Sequence, residues 1–275
     1  MQSVPNLSFV SANYDLFLLD LWGVVHDGSH LYPGVKATLE TLRAEGKTVI
    51  FISNAPRRAH KAAKVLGELG IPPELYRAVV TSGEVGYQWV AAGKSPWGKR
   101  YYFIGPSKDA DVLDGLGLKR VDDIKGADFL LNVGFGSEEQ TTDDYSMLLR
   151  GANAQGLPML CLNPDLEVVK ITGERFPCAG VIGRQYEALG SKVTWFGKPY
   201  AEIYEFCLAQ VAAVDKSRIL AVGDSLETDI PGGQYFGVDT MLVTGGILKH
   251  YSAAQVQEMC THLRLHPNYV AGSLS

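Results

Sequence analysis

FLLDLWGVVHDG, residues 17–28, runs an apolar strand directly into Asp20 and then into a loop with glycines at 23 and 28. A parallel α/β sheet binds its ligands outside the carboxyl ends of its strands, so this pattern presents one carboxylate at the mouth of a site. Three later stretches repeat it. FISNAP (51–56) sets Ser53 and Asn54 after a second apolar run, WFGKP (195–199) sets Lys198 after a third, and LAVGDSLETDI (220–230) sets Asp224 and Asp229 after a fourth. Each is weak alone, because strand-end Asp and Ser are ordinary turn and cap residues and a lysine before proline is ordinary surface. Together they supply carboxylates for a cation and a hydroxyl and an ammonium for phosphate oxygens.

Outward from these stretches, strands alternate with helices, which predicts parallel βαβ units. Residues 16–20, 47–52 and 78–81 read as strands, and 34–45 and 56–69 as helices, the second closed by Gly70. A second α/β series follows, with helices over 83–92, 108–114 and 141–155 and strands over 100–104, 127–133 and 157–162. The first pattern resumes with VTWF, a helix over 201–212, RILAVGD and VDTMLVT, and a less regular tail follows Tyr251. A crossover needs roughly a dozen residues. The stretch between Ser53 and Lys198 is far longer, so something the size of a domain is inserted there.

Composition narrows the function classes. With 275 residues, 46% of them apolar, the chain can bury one good core and a second smaller one. A net charge of −5 and only short basic runs such as Arg57-Arg58 argue against a nucleic-acid surface; those arginines are expected to cap a helix or face solvent. Cys161, Cys178, Cys207 and Cys260 have neither disulfide-framework nor zinc spacing, so reduced thiols are expected. The start of the chain has no basic, apolar leader pattern, and no stretch reaches the length of a membrane span. These features predict a cytoplasmic protein with no membrane partner.

The four polar strand ends, in this order, resemble the haloacid dehalogenase superfamily of phosphohydrolases, and most closely its class IIA, the NagD-like, p-nitrophenyl phosphatase-like branch. GVVHDG, PGV at 33–35, FISNAP, TSGE at 81–84, NPD at 163–165, FGKP and GDSLETDI carry the resemblance. It implies a Rossmann-like doubly wound parallel-sheet core, residues 1–81 and 189–275, with an inserted C2-type α/β cap at 82–188. It also implies a magnesium-dependent hydrolase acting on a small phosphorylated molecule. Asp20 would be the nucleophile, Ser53 and Lys198 would hold the phosphoryl group, and Asp224, Asp229, Asp20 and the Trp22 carbonyl would hold Mg2+. Trp22, Gly23 and Asn54 are expected at the substrate, with Asn163 and Arg184 as cap residues facing it. Pairing of caps into a homodimer is a further implication.

One position departs from that family's pattern. Its Asp-x-Asp has a second carboxylate as general acid and base, and Trp22 stands there. His26, on the same loop, is the expected substitute, since an unperturbed imidazole suits proton transfer near neutral pH. The departure leaves two alternatives beside the phosphatase: a catalytically weak protein that binds phosphate or another ligand, and a hydrolase of carbon–halogen or carbon–phosphorus bonds.

Overall fold

The computed structural model describes residues 1–169 and 174–275. Its first elements are β1 (Gln2–Ser3), β2 (Leu16–Leu19), α1 (Val35–Ala44), β3 (Thr48–Ser53), α2 (Ala59–Glu68), β4 (Ala78–Thr81) and α3 (Ser82–Ala91). There follow β5 (Arg100–Ile104), β6 (Lys119–Val121), β7 (Phe129–Asn132), α4 (Thr142–Ala154), β8 (Met159–Cys161), β9 (Glu167–Val169), β10 (Arg175–Pro177), α5 (Ala179–Ala188) and β11 (Val193–Trp195). The chain closes with α6 (Ala201–Leu208), β12 (Ile219–Gly223), α7 (Asp229–Phe236), β13 (Asp239–Val243), α8 (Ala253–His262) and β14 (Tyr269–Ala271).

Two parallel sheets result. A seven-stranded sheet has the order β1-β14-β13-β12-β2-β3-β4, and a five-stranded sheet has the order β11-β8-β7-β5-β6. The central strands are apolar on both faces, as a sheet covered by helices on each side requires. Side chains alternate along β2, so Phe17 and Leu19 join α1 and α2 in one core while Leu16 and Leu18 pack on the other side with Ile203 and Tyr204 of α6. That second core continues into Phe103, Phe129 and Leu160 of the five-stranded sheet. The two sheets therefore share buried apolar surface. β9 and β10 form a separate antiparallel pair.

Three expectations are corrected. VTWF does not return to the first sheet: β11 pairs with β8 at the edge of the second. The stretch 108–114 makes only one 3-10 turn, Ser107–Asp109, because Gly115 and Gly117 adopt φ of 85° and 66° and end the run before a helix can offset its nucleation cost. The tail is regular, since Ser252 and Gln255 form a capping box that starts α8, and β14 pairs with β13 and β1.

Candidate active site

From β2 the chain goes to β3 and β4 on one side and returns on the other as β12 and β13. β2 and β12 therefore flank the switch point where open α/β sheets bind ligands. A cavity of about 530 Å³ opens there, lined by Asp20, Trp22, Ser53, Asn54, Asn163, Asp165, Lys198, Asp224 and Asp229 among others. The sheet itself makes the juxtaposition. Adjacent strands lie about 4.8 Å apart, so Asp20, one residue beyond β2, and Asp224, one beyond β12, emerge side by side. Asp229 opens α7.

Asp20, Asp224 and Asp229 are 6%, 7% and 6% exposed, and each offers an oxygen within 4.8 Å of the others. The Lys198 ammonium pairs with Asp20, and with Asp229 at 2.7 Å. Burial pushes the Asp20 carboxyl well above the usual carboxylate range, against the pull of Lys198. Burial and then the neighbouring Asp229 charge push Asp224 up to about 7. Burial works to lower the Lys198 ammonium, but Asp20 and Asp229 overcome it and hold its pKa well above that of a free lysine. Three carboxylates thus face one ammonium in a buried space, and uncompensated buried charge is costly. An all-oxygen donor set with excess negative charge suits a hard divalent cation. Gly23 makes room for it: with φ of 84°, it approaches Asp224 so closely that a Cβ would lie 1.9 Å from Oδ2.

Asn54 fastens the lysine loop. Its Oδ1 accepts the Lys198 N–H at 2.6 Å, and its Nδ2 donates to the Lys198 carbonyl at 3.0 Å and to Asp165 Oδ1 at 2.8 Å. The side chain therefore ties motif to motif, and core to the smaller unit, rather than waiting for substrate. Burial pushes Asp165 up to about 6. Ser53 Oγ accepts the Ala55 N–H at 3.2 Å, which leaves its hydroxyl proton available. Asn163 lines the cavity with Oδ1 accepting the Asp165 N–H at 2.9 Å.

Trp22 reaches the cavity, and its Nε1–H donates to the Val169 carbonyl of β9 at 2.9 Å. The indole thus joins the Asp20 loop to the β9–β10 pair. Three other sequence candidates have partners of their own. The Gly23 N–H donates to the His26 carbonyl at 3.0 Å, within the loop. Arg184, on α5, bonds Glu187 at 2.9 Å and lies over Trp195, outside the cavity lining. His26 is buried outside it too, with Nδ1 accepting the Gly28 N–H at 2.9 Å and its ring edge-on to Trp22. Its ring thus meets Gly28 and Trp22 rather than the Asp20 cluster.

Burial pushes His26 down to about 4, with Asp27 opposing. Above pH 6.5 the imidazole is neutral in both folded and unfolded chains and has no effect on the balance. As pH falls from about 6.5 to 4, only the unfolded chain takes up the proton, so this residue lowers stability by roughly 3 kcal/mol. The raised carboxyls Asp20, Asp165 and Asp224 act in the opposite sense over this range, so the His26 contribution is read as a difference: in urea unfolding of metal-free protein, acidification from pH 7.5 to 4.5 should favour His26→Gln over the wild type by roughly that amount. An equal change in both proteins would exclude this role of His26.

Sequence reading missed Arg57, Ser107, Lys108 and Thr228 as cavity residues. Arg57 and Lys108 come from different units, and no local pattern marks residues that meet only across a domain joint.

A model described as haloacid dehalogenase-like hydrolase matches residues 17–119, and a second, described as HAD-hydrolase-like, matches 195–275. A solved hydrolase of the haloacid dehalogenase-like family from Brucella suis is 32% identical, with a TM-score of 0.88 and coverage of 99% of this chain and 100% of that one. Sugar-phosphatase AraL of Bacillus subtilis is 29% identical over 262 residues, covering 94% of this chain and 89% of its own. The glycerol-3-phosphate phosphatase of Gallus gallus is 26% identical over 290 residues, covering 97% and 91%. No described helix is long and apolar enough to cross a membrane.

Proposed function

The chain belongs to the haloacid dehalogenase-like hydrolases, and from that premise we propose that it acts on phosphate monoesters as a magnesium-dependent phosphatase working through an aspartyl-phosphate on Asp20. The observation that carries this reading is the Lys198 ammonium held between Asp20 and Asp229 with Asp224 beside them. Asp20, Asp224 and the Trp22 carbonyl would hold Mg2+, with Asp229 a further ligand or the group that orients them. The ion, when bound, neutralises the phosphate dianion so that an anionic nucleophile can approach.

An Asp20 oxygen forms the bond to phosphorus while the ester P–O bond breaks, its electron pair leaving with the alcohol oxygen. Ser53 and Lys198 hold the non-bridging oxygens. Water then attacks phosphorus, Asp20 departs as carboxylate, and inorganic phosphate leaves. With Trp22 in place of a second carboxyl, the loop offers no proton to the departing alcohol. The site therefore favours esters whose alcohol is stable as an anion, such as aryl or enol phosphates. The inserted unit, residues 82–188 with β11 (Val193–Trp195) added to its sheet, serves as the cap, and the chain works on a small cytoplasmic substrate, where its four buried free thiols stay reduced. Trp22 alone favours the second reading, a weakly active phosphate-binding protein.

Release of p-nitrophenol from p-nitrophenyl phosphate tests the two. It should require magnesium, stop with chelator and resume when magnesium is restored. Magnesium at 100 times its dissociation constant should also stabilise the fold by about 2.7 kcal/mol, and Asp224→Asn should remove most of that shift. Folded protein that binds magnesium without turning over the ester would favour the second reading.

A further inference from the structure

FISNAPRR carries two adjacent arginines with different fates. Arg58 donates from Nε and Nη2 to Glu84 at 2.7 and 3.3 Å and lies 3.3 Å over the Tyr87 ring. Its guanidinium is engaged by Glu84 and Tyr87 at the start of α2. Arg57 lines the cavity instead. Its backbone is fixed, since Thr81 Oγ1 donates to its carbonyl at 2.5 Å. Its guanidinium is not: the facing acid, buried Asp109, stands 3.5 Å from Nη2, and Nε has no acceptor among the described residues. A buried guanidinium donor left without an acceptor is costly, and a modest shift of the side chain toward an anion in the cavity would relieve it.

Lys108 stands beside it, in the 3-10 turn Ser107–Asp109 of the smaller unit. Its exposed ammonium also lines the cavity and forms no ion pair with any described residue. That turn is pinned to α2, because Lys61 Nζ donates to the Lys108 carbonyl at 3.1 Å and to Asp111 at 2.6 Å. Two cationic side chains, one from each unit, thus meet the same cavity as the Asp20 cluster. Of the acids in this wall, Asp109 is buried against Arg57, and Glu138 is exposed on the loop after β7. The phosphoryl group has its own cation in Lys198, so Arg57 and Lys108 are available to a different part of the ligand.

We infer that Arg57 and Lys108 bind a second oxyanion, a carboxylate or a further phosphate, on the alcohol side of the substrate. The inference rests on the phosphatase reading and narrows its substrates to phosphate monoesters whose leaving group is itself negatively charged. The planar guanidinium suits bidentate contact with such a group, and the lysine adds a point charge.

Phenyl phosphate and 3-carboxyphenyl phosphate form a matched pair of probes, compared by phosphate release with magnesium present; bisphosphorylated 1,3-benzenediol distinguishes a second phosphate from a carboxylate. Wild-type kcat/KM should favour at least one doubly charged ester by about tenfold or more, chiefly through KM. Arg57→Gln and Lys108→Gln should each shrink that ratio, and the double variant should bring it near one. A wild-type ratio near one for both doubly charged esters, or a ratio that survives the double variant, overturns the inference while leaving the phosphatase intact. Failure of all esters and of p-nitrophenyl phosphate would instead sink the phosphatase. Calorimetric binding of the same esters to Asp20→Asn, with and without the double variant, then decides the second-oxyanion site by the same ratio.

Discussion

Asp20→Asn is expected to lower p-nitrophenyl phosphate turnover by about 10⁴-fold or more, to the background of the assay. The amide matches the carboxylate in shape and can still accept from Lys198, so the lost element is the anionic oxygen that attacks phosphorus. Misfolding would also abolish turnover, and the electrostatics of the site separate the two causes. Burial holds the Asp20 carboxyl well above its usual range, against the pull of Lys198, which means that ionising it costs more in the folded, metal-free chain than in the unfolded one. Removing that charge leaves Lys198 paired with Asp229 at 2.7 Å. Urea unfolding of metal-free Asp20→Asn at pH 7.5 should therefore show stability equal to or above that of the wild type. Mass spectrometry of acid-quenched reactions should find phosphate on the peptide bearing residue 20 in the wild type and none in the variant. Turnover retained by Asp20→Asn would remove Asp20 from the chemistry.

The second large effect concerns Trp22. A positioned general acid contributes roughly 10² to 10⁴ in rate, and the contribution matters most for poor leaving groups. Without one on this loop, wild-type kcat for p-nitrophenyl phosphate should exceed that for ethyl phosphate by about that factor. Trp22→Asp restores a carboxyl at the position and should raise ethyl phosphate turnover at least about tenfold while changing the aryl ester less. Trp22→Phe separates the indole's other role, since it keeps a ring over Gly28 but loses the bond to the Val169 carbonyl. Equal losses on both esters in Trp22→Asp and Trp22→Phe would mean that the indole acts by holding the β-pair over the cavity. Comparable wild-type rates on aryl and ethyl esters would point to a different proton donor. Asp165, pushed up to about 6 by burial, is the cavity carboxyl suited to that.

The four polar strand ends were legible because each is a local pattern: an apolar run long enough for a buried strand, ended by a residue that cannot be buried alone. Neighbouring parallel strands then converge their carboxyl ends with no further instruction, which is why the sequence alone places Asp20 and Asp224 near each other. The regular tail was legible in principle, since Ser252 and Gln255 sit at capping-box spacing. β11 was not. An edge strand of three residues carries no mark of which of two parallel sheets will accept it.

Sequence by itself determined the α/β class, the order of the strand-end motifs and the carboxylate, hydroxyl and ammonium set that implies phosphate and a cation. It did so because strand burial and loop chemistry depend on residues a few positions apart. Only the tertiary structure decided which polar side chains face the cavity. Arg57 and Arg58 are indistinguishable along the chain, yet Glu84 engages one and the cavity receives the other. His26 and Arg184 had suitable chemistry but are held by Gly28 and Glu187. Trp22 finds its carbonyl 147 residues away. Such pairings rest on distances across the fold, and composition and spacing contain no information about them.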